Sequence, residues 1–286
     1  MKSIATILMA AGLLLAAAAA ATQKASAAPK AKANSIDIDY VEPKLAENQA
    51  VYKLVKEQQG LEKIRDLLSP LRLPHRLLLQ TRDCEGVSNA FSNEDSVIVC
   101  YEYLNDIWKS APETTTPAGV APIDALIGPL VDVFLHEAGH AVFDLLGIPF
   151  LGREEDAADQ FSAYLLLQMS SDCARRLILA VAYLGSAQAQ RELAHPVQLS
   201  QFADVHELPA QRYFNVLCMA YGEDPKVFGD AVERWHLPKD RAKNCRYEYR
   251  RFQYAFNALI EPYVDEALVE KVKAKGLLVA LFYADL

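Results

Sequence analysis

The stretch His136-Glu137-Ala138-Gly139-His140-Ala141-Val142-Phe143-Asp144 lies within an apolar run from Leu130 to Leu146. In an α-helix, residues four apart share one face and sit one turn from each other. His136 and His140 would then present two imidazoles side by side with Glu137 next to them. This HExxH spacing suits two ligands of a catalytic Zn2+ and a general base. Either histidine alone would read as a semi-buried surface residue. The glutamate between them, together with a carboxylate-bearing helix downstream, turns the reading toward one Zn2+ per chain, because neutral imidazoles suit this borderline-soft metal.

A third ligand is then required, and Glu154-Glu155-Asp156-Ala157-Ala158-Asp159 offers it. Glu155 and Asp159 are four apart and share a helical face. One can bind the metal while the other accepts the spare N–H of a ligating histidine and fixes its tautomer. Glu154 has Ala158 at the same offset, so Glu155 is the expected ligand and Asp159 its partner, with Glu154 as the alternative. An acidic first turn that only complements the helix dipole is the competing explanation.

Around this centre, Asn48 to Leu68 has the apolar spacing of one amphipathic helix, ended by Ser69-Pro70. Arg76–Thr81 and Ser96–Tyr103 read as strands, with Asn93-Glu94-Asp95 as a turn. Ser110–Pro122 reads as a loop. Gly128-Pro129 reads as a break or helix start ahead of the motif, and Gly147 as its stop. Further helices are expected over Glu154–Met169 and Asp172–Leu193, and the remainder is mostly helical. The expected fold class is α+β and zincin-like: a small N-terminal sheet with the active-site helix, then a mainly helical C-terminal part. In domain terms, residues 1–27 read as a signal peptide and 28–50 as a flexible lead-in. Residues 51–286 read as one metallopeptidase-like domain, divided into 51–146 and 147–286.

The signal-peptide reading rests on Lys2, the uncharged Ala/Leu-rich run Ile4–Ala21 and the Ala25-Ser26-Ala27 cleavage pattern. An uncleaved anchor is the alternative, since the run is just long enough to span a bilayer. With cleavage, the expected location is periplasmic or secreted, without stable membrane insertion. Removing residues 1–27 takes away two lysines and no acid, which moves the net charge from −8 to −10. Such acidity argues against nucleic acid or an anionic membrane surface as partner. Five cysteines in an exported chain allow two disulfides; the sequence-local pairings Cys84–Cys100 and Cys218–Cys245 are preferred, with Cys173 left over.

His136 to Asp144 resembles the HExxHAVxD helix of the thermolysin-type gluzincins, and Glu155-x-x-x-Asp159 is similar to their third-ligand helix. Asn89-Ala90-Phe91 resembles the edge segment with which those enzymes hold an extended peptide. Over roughly residues 50–262, the order of these pieces with Cys84, Cys100-Tyr101-Glu102, Gln211-Arg212-x-x-Asn215-x-x-Cys218 and Leu237-Pro238 to Cys245 resembles a family of uncharacterised bacterial metallopeptidases. The resemblance implies a peptide or protein substrate and a zinc-activated water with Glu137 as base. It also implies substrate pairing at Asn89 and Ala90, Asp144 as a further supporting carboxylate, and His206 as the donor to the oxyanion. Asn89 alone would read as a turn former, and His206 alone as a residue leading into a helix. Arg212 is the next candidate to touch substrate, against a structural ion pair. Two departures stand out. Only fourteen residues separate His140 from Glu155, with no Tyr among them, and no Asp-rich calcium segment is present. The alternatives to a peptidase are a zinc amidase acting on cell-wall or other non-protein amides, and a non-catalytic periplasmic binding or assembly factor that retains the fold.

Overall fold

The computed structural model describes residues 35–274 apart from 94. The expected signal peptide, the first part of the lead-in, Glu94 of the expected turn and the apolar tail from 277 lie outside the described residues. Four strands form one mixed sheet in the order β1-β2-β4-β3: β1 Ile36–Tyr40, β2 Leu77–Arg82, β3 Ala90–Asn93 and β4 Ser96–Cys100. β1, β2 and β4 run parallel, and β3 pairs antiparallel with β4 at the edge. The sequence of β4, Ser-Val-Ile-Val-Cys, is buried at every position, as expected of a strand covered on both faces.

Four expectations need correction. The lead-in is not flexible throughout. Ile36, Ile38 and Tyr40 alternate with Asp37 and Asp39 and form β1 against β2, and the Tyr40 hydroxyl donates to Glu62 Oε2 at 2.6 Å. The single helix expected over 48–68 is two, α1 Gln49–Glu57 and α2 Gly60–Leu68. The chain turns at Gln59, whose φ is 52°, and a Cβ on Gly60 would come within 2.8 Å of Val55 Cγ1. The strand expected to continue to Tyr103 stops at Cys100, where α3 (Tyr101–Ser110) begins. Tyr101, Leu104 and Ile107 bury one helical face there.

The fourth correction concerns the motif helix. α4 runs Pro122–Leu146, straight through Gly128-Pro129. Ala121 is its N-cap and Pro122 opens its first turn, where a missing N–H costs nothing. An interior proline costs about 3 kcal/mol, and close packing outweighs that here. A Cβ on Gly128 would lie 2.6 Å from Ala180 Cβ and 2.8 Å from Leu177 O, so α4 and α6 (Ser171–Leu193) cross nearly backbone to backbone at this point. Gly147 ends α4 in the left-handed region at φ 60°. α4 is the one helix among the described residues long and apolar enough to cross a membrane, yet 83% of that apolar window is buried in the fold. A helix apolar on all sides is here the core of the protein.

α5 (Glu154–Leu167) and α6 pack on α4, α7 (Pro209–Glu223) packs on α5 and α6, and α9 (Lys239–Leu259) packs on α7 beyond the short α8 (Asp230–Glu233). α10 spans Glu266–Ala274. The main core joins the sheet, α4 and α5 through Leu79, Val99, Phe134, Leu135 and Phe161. A smaller one joins α6, α7 and α9 through Leu217, Trp235 and Leu237. Both expected disulfides are present, Cys84–Cys100 and Cys218–Cys245, and Cys173 is a buried free thiol. Each typically stabilises a fold by about 2–4 kcal/mol.

The α4–α6 crossing leads to a stability prediction. Gly128→Ala adds a methyl group where a backbone carbonyl already stands, and overpacking of this kind costs about 1–3 kcal/mol. Urea unfolding should show a lower midpoint, despite the better helix propensity of alanine. An unchanged or raised midpoint would refute the close crossing.

Candidate metal centre

α4 and α5 lie side by side and bring their polar positions together. His136 Nε2 is 3.3 Å from His140 Nε2 and 3.2 Å from Glu155 Oε2, and His140 Nε2 is 3.3 Å from the same oxygen. Three donors therefore form a nearly equilateral triangle. Tetrahedral zinc with bonds of about 2.0–2.1 Å holds its ligands roughly 3.3 Å apart, so these side chains fit three corners of a zinc site with the fourth corner open. A structural zinc normally takes four protein ligands, whereas a catalytic one keeps a position free.

The outer nitrogen of each ring is also held. Asp159 Oδ1 accepts from His136 Nδ1 at 2.7 Å, as the spacing of α5 implies. Glu154 Oε1 accepts from His140 Nδ1 at 2.7 Å. The adjacent glutamates thus face the centre in different roles: Glu155 meets the inner nitrogens and Glu154 orients a ring. Asp144 does not join them. It is exposed near the end of α4, and its carboxylate makes no hydrogen bond among the described residues. The orienting role assigned to it by resemblance belongs to Glu154, because the short connection between α4 and α5 starts α5 beside His140.

Asp159 is shared with α7. Arg212 Nε donates to its Oδ2 at 2.7 Å and an Nη to its Oδ1 at 2.6 Å. Arg212 is therefore first a bidentate ion-pair partner, an arrangement that restricts geometry as well as adding energy. His206 approaches from the loop before α7, its Nε2 3.0 Å from Glu155 Oε2. Asp204 Oδ1 holds it in place, accepting from the His206 backbone N–H at 2.9 Å and lying 3.2 Å from Nδ1. His206 remains outside the mutual triangle of donors, with 46% of its side chain exposed.

Charge is strongly organised here. Burial by itself would lower the pKa of His136, but its hydrogen bonds to Asp159 and Glu155 prevail and raise it to about 10. The hydrogen bond to His136 draws Glu155 down to about 2. Asp159, despite burial, is held well below the usual carboxylate range by His136 and Arg212. The pocket between the rings and carboxylates therefore favours positive charge. Glu137 behaves differently: desolvation raises its pKa. It is 8% exposed, and its carboxylate has no hydrogen-bond partner among the described residues.

Asn89 and Ala90 sit at the sheet margin. β3 is the outer strand and packs against α4, while Asn89 is exposed and its carbonyl accepts from Cys100 N at 3.1 Å. Three neighbours of the centre escaped sequence reading: Glu154 as ring orienter, Asp204 behind His206, and Tyr103, which stood in an expected strand. Tyr103 carries no local signal of its position.

A family model described as "Putative metallopeptidase" matches residues 40–260, and the chain belongs to that family. No curated protein and no solved structure matches it.

The ligand assignment predicts an ordered series in zinc titrations of the purified protein. Glu155→Ala should lose tight binding, Glu154→Gln should weaken it by about 10–100-fold as loss of a ring-orienting partner does, and Asp144→Asn should match wild type. Wild-type affinity in Glu155→Ala would remove Glu155 from the ligand set.

Proposed function

We propose that this member of the metallopeptidase family is an exported, zinc-dependent hydrolase of peptide bonds. The observation that carries the reading is an open triangle of three zinc-compatible donors beside a buried glutamate with no partner of its own. Zn2+ held by His136, His140 and Glu155 would lower the pKa of a water and polarise the scissile carbonyl. Glu137 then acts as the base that accepts a proton from the attacking water, and as the acid that returns it to the leaving nitrogen. Its desolvation favours this exchange, since a raised carboxyl pKa brings it nearer to neutral pH.

His206, braced by Asp204, donates from Nε2 toward the oxygen that gains negative charge. Asp159 and Glu154 keep the two ligating rings in register. The free side of β3 would receive an extended peptide by strand addition through Asn89 and Ala90. Export is supported by the N-terminal leader pattern and by two disulfides, which persist in oxidising compartments. The acidic net charge makes a nucleic acid a poor partner.

Hydrolysis of a broad peptide library should vanish on chelation and return with zinc. Glu137→Gln should retain zinc yet lose activity by about 100–10,000-fold, the usual contribution of a positioned base. His206→Ala should lower kcat by about 100–1,000-fold with little change in KM, as removal of an oxyanion donor does. Equal activity of wild type and Glu137→Gln would eliminate this mechanism. A zinc-loaded wild type that cleaves nothing would instead favour a binding role.

A further inference from the structure

The acidity of the chain is unevenly distributed. Lysine and arginine number 29 against 37 aspartates and glutamates overall, yet residues 241–259 of α9 hold five cations and one carboxylate, Glu248. Arg241 pairs with Glu248 through two hydrogen bonds, Nη1 to Oε1 at 2.5 Å and Nη2 to Oε2 at 2.7 Å, and those two charges offset each other. Lys243, Arg246, Tyr247, Arg250, Arg251 and Tyr254 follow one another at offsets of three and four and share one helical face. At 1.5 Å per residue that face is about 16 Å long. All six side chains are exposed, Tyr247 to 67% and Tyr254 to 70%. The opposite face of α9, with Ala242, Cys245, Tyr249 and Phe256, is buried. The Cys218–Cys245 disulfide ties it to α7, so the outward direction of the six is fixed by the fold.

Inside the fold these cations have little to do. Arg246, Arg250 and Arg251 form no ion pair among the described residues. Arg246 is near enough to Glu223 to act on its charge, and Lys243 meets Asp240 at 2.6 Å at the exposed start of the helix. Arg246 and Arg250 stand one turn apart and repel each other, as like charges at this spacing do. The two tyrosine rings are interleaved with them and cover no core residue.

We infer that this face of α9 docks the protein on an anionic phospholipid bilayer. Charge complementarity is the first reason, and it holds despite the net charge of −8. Screening reduces interactions beyond about 8 Å at physiological ionic strength, so a surface in contact with α9 responds to its cations and hardly to carboxylates on the far side. Shape is the second. The outer side of one helix is a convex ridge, which meets a plane of headgroups along its length and gives little enclosure to a peptide. Composition is the third. Tyrosine rings settle at headgroup level, with an apolar body inward and a wet hydroxyl. Arginine stems lie along that boundary while the guanidinium groups reach phosphate oxygens. With no aliphatic side chain among the six, the helix rests on the surface and does not enter the hydrocarbon. Docking of this kind needs neither zinc nor turnover, so it stands apart from the hydrolase reading and is tested by binding alone.

The full chain is sedimented with vesicles of phosphatidylcholine, alone or mixed with phosphatidylglycerol. The ratio of the two partition coefficients is read, because the apolar run Ile4–Ala21 can enter either kind of vesicle. At low salt the ratio should reach about 100-fold, three cations at about fivefold each, and it should fall as salt rises. The triple variant Arg246→Gln/Arg250→Gln/Arg251→Gln should bring it close to one with an unchanged Tm, since all three side chains are exposed. The matching triple Arg→Lys variant should keep it, because a bilayer reads charge whereas a discrete carboxylate or phosphate ligand reads the guanidinium fork. In a second measurement, the indole placed by Tyr254→Trp should be quenched by brominated phospholipid in the anionic vesicles, and this quenching should disappear in the triple glutamine background. Equal partition into both vesicles would overturn the docking surface, as would a ratio lost on Arg→Lys or quenching that the glutamine background leaves intact. Poly-glutamate bound through the same arginines, without preference for anionic vesicles, would assign the face to an acidic chain and overturn the bilayer.

Discussion

Asp159 is the side chain on which the arrangement depends. One of its oxygens is shared between His136 on α4 and Arg212 on α7, and the other is taken by Arg212. Two consecutive helices, α4 and α5, and the more distant α7 are thereby joined at one carboxylate. The pair is half-buried, with 38% of the Arg212 and 28% of the Asp159 side chain exposed, so solvent screens part of the charge that loss of either partner would leave behind. The same contact keeps the His136 ring turned so that Nε2 faces Glu155. Stability and ligand geometry are therefore coupled here, and neither can be altered without the other.

α4 plays the matching role for the apolar part of the fold. It is buried along most of its length, between the sheet and α3 on one side and α5 and α6 on the other. Such a helix can carry the two histidines and Glu137 into a low-dielectric interior, where their interactions with neighbouring charges are stronger than in water. The cost of burying these polar groups is offset by partners for each ring nitrogen. Glu137 is the exception, with neither hydrogen bond nor ion pair among the described residues. Functional groups are where such departures from full pairing are expected.

Much of the centre was legible in local spacing. The i,i+4 pairs His136/His140 and Glu155/Asp159 each describe a single helical face, and a face is a local property that a sequence exposes directly. The two disulfides were legible as sequence neighbours. Asp144 was misleading for the same reason. Its place in a motif says where it lies on α4, but not that Glu154, across the short α4–α5 connection, is closer to the His140 ring. Tyr103 was hidden by its setting, since the apolar, aromatic run after Ser96 suits a strand until the chain turns into α3 at Tyr101. Pro129 misled in the opposite direction: its cost is local, and the α4–α6 crossing that outweighs it is not.

By itself, then, the sequence determined which residues share a helix face, the class of metal those faces can hold, and the α+β order of the elements. Tertiary structure alone decided that Glu154 orients a ring, that Arg212 pairs with Asp159, that His206 reaches Glu155, and that the α9 face carrying Arg246, Arg250 and Arg251 is exposed. The physical reason is range. Periodicity and turn chemistry act over a few residues, whereas ion pairs, cavities and close helix crossings depend on how buried surfaces from distant segments fit together.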